Sequence, residues 1–290
     1  MGQVGRYELK YVIDEERAVA VADYCRAFLR PSVHNGEERP TRGHPVMSIY
    51  MDSPDFFFFR QAYFGHLNRI KLRIRCYDDH WERPAFFEIK RRVMDVICKD
   101  RAMLSREAVE FFLNAGWPNP ATWPDPSRMV HGKRRLDVYY KFWTLCNAVK
   151  AQPMIYISYL REIYEGENDE ELRVTFDRHV SATPFQGLGL PSYVRGMGYG
   201  GHGMGKFTAP ERAIPPRPDR WPYYLPFDGV ILEIKYEERA PCWIYDMVRY
   251  FNLQRRFMCK YSACVDSMEL QWGKLPLPEE EQRLVMVGYD

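Results

Sequence analysis

Hydrophobic and polar residues alternate with a period of two along much of this chain. In "RIKLRIRCY" (69–77), Arg69, Lys71, Arg73 and Arg75 fall on one face, with Ile70, Leu72, Ile74 and Cys76 on the other. A strand points successive side chains to opposite faces, so this segment is a strand with one cationic and one apolar face. The same plan recurs elsewhere. "YELKYVI" sets Glu8 and Lys10 against Tyr7, Leu9 and Tyr11, and "FFEIKRR" sets Glu88, Lys90 and Arg92 against Phe87 and Ile89. "ISYLREIY" groups Tyr159, Arg161 and Ile163, and "LRVTFDR" groups Arg173, Thr175 and Asp177. "VILEIKY" sets Glu233 and Lys235 against Leu232, Ile234 and Tyr236.

Eight strands are predicted: 6–13, 46–52, 69–77, 85–92, 95–101, 154–163, 171–178 and 229–236. Eight is a number at which a tilted sheet closes around a narrow interior. Helices are predicted in "DEERAVAVADYCRAFL" with Asp14 as N-cap, in "SREAVEFFL" with Ser105 as N-cap, in "LDVYYKFWTLCNAVK", and in "PCWIYDMVRYFNL" with Pro241 at the helix start. Residues 114–134 and 184–227 are rich in Pro and Gly and read as long surface loops. The glycines of 184–227 do not follow a strand in a dinucleotide-binding frame.

A charged strand face on a single strand reads as a wet surface. Six such faces in one barrel point elsewhere. Helices cover the apolar faces from outside, and the cations line the lumen. An empty lumen of like charges is costly. A thin polyanion, such as a chain of phosphates, would fill it. Glu8 and Glu233 could hold Mg²⁺ or Mn²⁺ together with phosphate oxygens, or Glu233 could pair with a neighbouring lysine.

Charge and composition narrow the classes. The net charge is only +2 over 290 residues, so the cations are a local arrangement and not a general coating. The aromatic residues lie mainly opposite the cations, which argues against single-stranded nucleic acid. The seven cysteines form no CxxC pair and read as reduced thiols. No apolar run is long enough to span a membrane, and the first residues carry no secretory signal pattern, so a cytoplasmic protein is expected.

The ordered motifs "RYELKY", "SIYMDS", "RIKLRIRCY", "FFEIKRR", "KDRAML", "ISYLRE", "LRVTFD", "VILEIKY" and "KYSACV" run from Arg6 to Val265. In that order they resemble the catalytic domain of the vacuolar transporter chaperone (VTC) polyphosphate polymerases, within the triphosphate tunnel metalloenzymes, or CYTH superfamily. The resemblance implies an α+β fold, an eight-stranded antiparallel β tunnel barrel with helices packed outside. It makes residues 1–270 a single tunnel domain and 271–290 a C-terminal tail. It implies transfer of the ATP γ-phosphoryl group to a growing polyphosphate chain, with Mn²⁺ or Mg²⁺ as cofactor. By position, Lys10, Arg73, Arg75, Lys90, Arg161, Arg173 and Lys260 match the catalytic phosphate-binding cations. Glu8, Lys71, Arg92, Lys99 and Lys235 stand beside them as substrate-contacting residues, and Glu233 matches the metal-binding glutamate. The expected partners are ATP and polyphosphate, with no nucleic acid and no intrinsic membrane segment, and a separate membrane partner is left open. The first position of the usual Glu-x-Glu-x-Lys motif is Arg6, which favours the polymerase-like branch. A triphosphatase on the same scaffold and a non-catalytic polyphosphate-binding module are the alternatives.

Overall fold

The fold is described from a computed structural model, over residues 6–35, 43–77, 84–94, 96–105, 109, 112–113, 133–166, 172–185, 223–224, 229–256 and 258–272. The strands are β1 (Arg6–Ile13), β2 (Arg30–Pro31), β3 (His44–Asp52), β4 (Arg69–Cys76), β5 (Ala85–Val93), β6 (Val96–Leu104), β7 (Gln152–Glu165), β8 (Leu172–Pro184), β9 (Tyr223–Tyr224) and β10 (Val230–Glu237). The helices are α1 (Glu15–Cys25), α2 (Phe57–Tyr63), α3 (Lys133–Ala148), α4 (Cys242–Tyr250) and α5 (Lys260–Trp272).

Eight strands form one antiparallel sheet in the order β1-β10-β8-β7-β3-β4-β5-β6, and the two-residue β2 and β9 pair with β7 and β8. All eight predicted strands are present, several longer than the alternation alone indicated. The sheet curls into a tunnel-like half-barrel. Its curl brings Glu8 of β1 within 3.3 Å of Lys90 on β5. Residues 255 and 256 lie along the outer edge of β1. Arg255 bridges Tyr11, and the Arg256 N–H donates to the Lys10 carbonyl. An edge strand needs such cover, because its unpaired backbone groups would otherwise template association.

Two apolar clusters lie on the outer face of the curl. One joins Tyr11, Val174, Phe176, Leu232 and Ile234 to α1 and α4 through Val21, Ala22, Ile244 and Met247. The other joins Leu72, Ile74, Phe87, Ile89 and Leu104 to α3 through Tyr139, Phe142 and Cys146. Helix α1 starts where Asp14 accepts the Arg17 N–H at 2.7 Å, and α4 follows Pro241. The Ser105 helix and the loops 114–134 and 184–227 lie largely outside the described residues.

Helix α5 takes a different place from α1, α3 and α4. Tyr261, Cys264 and Val265 pack on Val46, Tyr50, Ile155, Ile157 and Tyr159. The register aligns Val46 with Tyr159 and Tyr50 with Arg73, so these are inward-facing positions. The inner face is therefore apolar along part of β3 and β7, where α5 fills the curl, and cationic elsewhere. Gly43 lets β3 begin close to β7, since a side chain there would meet the Arg161 carbonyl at 2.8 Å.

Candidate active site

Cross-strand register decides which inner-face charges meet. Arg73 stands opposite Glu88, and Glu88 opposite Arg101. Arg73 donates from Nε to Glu88 at 2.7 Å, while Lys99 and Arg101 reach the other carboxylate oxygen at 2.7 and 3.4 Å. Arg75 lies 3.9 Å from Glu88 and is fixed by Ser48 and by the Tyr159 hydroxyl, each accepting at 3.1 Å. Glu88 is 1% exposed. Burial alone would raise its pKa, but Arg73, Arg75 and Lys99 outweigh burial and hold it far below the usual carboxylate range.

A second hub forms on β7 and β8. Asp177 takes two hydrogen bonds from Arg161, at 2.6 and 2.7 Å, and pairs with Lys260 at 2.6 Å. Its pKa is about 2, because these two cations outweigh the cost of burial. Lys260 and Arg161 both sit over the Tyr159 ring, at 5.0 and 5.2 Å. Lys260 arrives there because α5 is anchored next door: Tyr261 donates to Asp52 at 2.6 Å and stacks on Tyr50.

The third group joins β1 to β10. Glu233 pairs with Lys235 and with Lys10, the latter at 3.6 Å, and Glu8 pairs with Lys10 at 2.5 Å and with Lys90 at 3.3 Å. Burial raises the Glu233 pKa, but Lys235, Lys10, Lys260 and Arg161 together hold it well below the ordinary value. The sequence left two readings of Glu233 open, and the ion pair with neighbouring lysines is present. Arg173, by contrast, stands at the rim, half exposed and paired with Glu165.

The charges are not evenly compensated along β4–β6. Lys71 faces Lys90, Lys90 faces Lys99, and Arg69 faces Arg92. Directly opposed like charges destabilise a sheet. Desolvation pulls Lys90 and Lys99 down to a pKa of about 8. Beside these rungs lies a cavity of about 370 Å³, whose lining includes Lys10, Lys71, Lys90, Arg92, Arg255 and Arg256. Cys259 also lines it, with Lys71 Nζ 2.7 Å from its sulfur. Burial would raise that thiol, yet Lys71 brings it down to about 6.

The structure thus puts every cation named from the sequence on the inner face or its rim. Alternation found the faces but not the partners: Glu88 and Asp177 were read on the lumen face without a role. Arg255, Arg256 and Cys259 come from a connecting segment without periodicity. Only the double arginine of "LQRRFMCK" could have drawn attention to it.

A family model described as the VTC domain matches residues 5–269. The chain belongs to the VTC domain family. The VTC domain has the tunnel-metalloenzyme fold, consistent with the curled sheet and its charged interior. A comparison with curated proteins finds no match. Among solved structures, a Bacillus halodurans protein described as a "putative adenylate cyclase" is 14% identical, with a TM-score of 0.45, covering 88% of this chain and 95% of that one. A Pyrococcus horikoshii protein is 12% identical, with a TM-score of 0.41, covering 92% of this chain and 99% of that one.

Among the described residues no group of three or more His, Cys, Asp or Glu is poised to hold a metal. Glu8 and Glu233 repel each other across the β1–β10 pair, although the lysines around them outweigh that repulsion, so a cation held there would compete with Lys10, Lys90 and Lys235. Mg²⁺ commonly binds through one or two carboxylates plus phosphate oxygens and water, and this pair fits that pattern.

Proposed function

We propose that this VTC domain is a polyphosphate polymerase that transfers the ATP γ-phosphoryl group to a phosphate chain held in the lumen. The observation that carries the reading is the directly opposed cations Lys71–Lys90 and Arg69–Arg92, which line an inner-face cavity, with Lys99 continuing the row opposite Lys90. Such rungs are unfavourable when empty and favourable around a linear polyanion.

The reaction needs positioning and charge, not a protein nucleophile. A terminal oxygen of the chain attacks the γ-phosphorus, the bond from that phosphorus to the β-bridging oxygen breaks, and its electron pair leaves with ADP. Arg73, Arg75, Lys90, Arg161 and Lys260 would clamp the transferring phosphoryl group, with Lys10, Lys99, Lys235 and the rim Arg173 around it. Lys71 and Arg92 would hold neighbouring phosphates of the chain. Glu88 and Asp177 keep the arginines aimed when phosphate is absent. Mn²⁺ or Mg²⁺, held by Glu233 and Glu8 with the phosphates, would neutralise developing charge. As a carboxylate, Glu8 serves the phosphates through its lysines and the cation.

The test is an incubation with ATP and Mn²⁺, with products resolved on a polyphosphate gel. Wild-type protein is expected to give ADP and a ladder of chains, and Arg73→Ala to give neither. A ladder from Arg73→Ala would remove the site assignment. Free phosphate without a ladder from wild type would replace the polymerase by a triphosphatase.

A further inference from the structure

One stretch of the inner face departs from the cationic plan. At the β4–β5 turn end, aromatic rings stand among the lumen cations. Phe86 stands opposite Arg75 and Met103, and His44 opposite Arg161. Tyr77 follows Arg75 on the same parity and packs against the inward-facing cluster. Tyr77 lies 5.6 Å from Phe86 and 6.0 Å from His44, centroid to centroid. Two guanidinium groups join these rings. Arg101 lies 3.5 Å over Phe86 and 5.2 Å from Tyr77, and Arg75 lies 6.0 Å from Tyr77.

These are the arginines that also reach Glu88. Arg101 is thereby held between a ring and a carboxylate, with its side chain 37% exposed. Flat aromatic and guanidinium surfaces are what a nucleobase stacks on. The placement matters as much as the chemistry. Tyr77 is four residues from Arg73, about 13 Å along a strand. A nucleoside triphosphate crosses such a span with its base at one end and its γ-phosphate at the other.

We propose that Tyr77, Phe86 and Arg101 form a platform for the nucleobase of the phosphoryl donor. The proposal rests on the reading of ATP as donor and gives the lumen a direction. The base stays at the β4–β5 turn end and the triphosphate runs inward past Arg75 and Arg73. The chain extends from the other end, through the cavity lined by Lys71, Lys90, Arg92 and Arg256. A purely structural aromatic cluster would give no preference for a base.

The experiment compares binding of ATP and of inorganic tripolyphosphate, which lacks a base, to wild type and to Tyr77→Ala. Loss of a stacking ring is expected to weaken ATP roughly tenfold while leaving tripolyphosphate within about twofold. Phe86→Leu, which keeps apolar volume and removes the ring, is expected to do the same, so a Tyr77→Ala protein that fails to fold does not block the test. In wild type, the adenine protons of bound ATP are expected to shift upfield in NMR spectra from the ring currents. Equal loss of both ligands, or loss of neither, overturns the platform while leaving the phosphate site standing. Failure of wild type to bind tripolyphosphate overturns the phosphate site and the platform together.

Discussion

Arg73 and Glu88 face each other across β4 and β5, with Arg73 Nε donating to the carboxylate at 2.7 Å. The pair gives a partly buried guanidinium a fixed direction. Around it, among the described residues, the inner face carries more cations than carboxylates.

Removing the hub carboxylate should therefore be costly. Glu88→Gln leaves Arg73 and Arg75 without their shared counter-charge, and breaking a buried pair from one side costs about 3 kcal/mol or more. Thermal unfolding should show a lower Tm, partly restored by added polyphosphate, which brings negative charge to the same cations. A variant as stable as wild type would show that Glu88 is not the counter-charge of the cluster.

Acid should loosen the same hubs. Both carboxylates have folded pKa values below their unfolded ones, Asp177 at about 2 and Glu88 lower still. Their contribution is present above the unfolded carboxylate range near pH 4 and is lost as pH falls through the folded values. Stability measured by denaturant titration should drop steeply below about pH 4, and less steeply in Asp177→Asn, which has one such group fewer.

Anion binding should weaken in base for a separate reason. Lys90 and Lys99 carry charge below their pKa of about 8 and lose it above. Tripolyphosphate affinity should fall as pH rises through 8. Binding at that pH should take up protons, because a bound anion restores the lysine charge. Calorimetry in buffers of different ionisation enthalpy measures the uptake, and zero uptake would contradict the placement of these lysines.

Cys259 offers a probe of the cavity. Held by Lys71, its thiol ionises near pH 6. Alkylation by iodoacetamide should follow that ionisation and be slowed by polyphosphate in the cavity. Lys71→Met should move the midpoint up toward the ordinary thiol value.

How legible all this is in the sequence varies with the range of the interaction. A period of two is local, and the eight strands follow from it, as does the cationic face of "RIKLRIRCY". Pairing is not local. Arg73 with Glu88 and Arg161 with Asp177 meet only through strand register, so hubs are invisible to alternation. Helix α5 was hidden for another reason. Tyr261, Cys264 and Val265 do lie at helical spacing, but their apolar partners are inward-facing positions of β3 and β7, on a face that alternation assigns to charge.

Transfer from γ-labelled ATP, with Mn²⁺ and a short polyphosphate primer, tests the central claim most directly. Label in lengthened chains should equal the ADP formed. Label recovered as orthophosphate, with the primer unchanged, would contradict the polymerase account and leave the lumen as the site of a hydrolase.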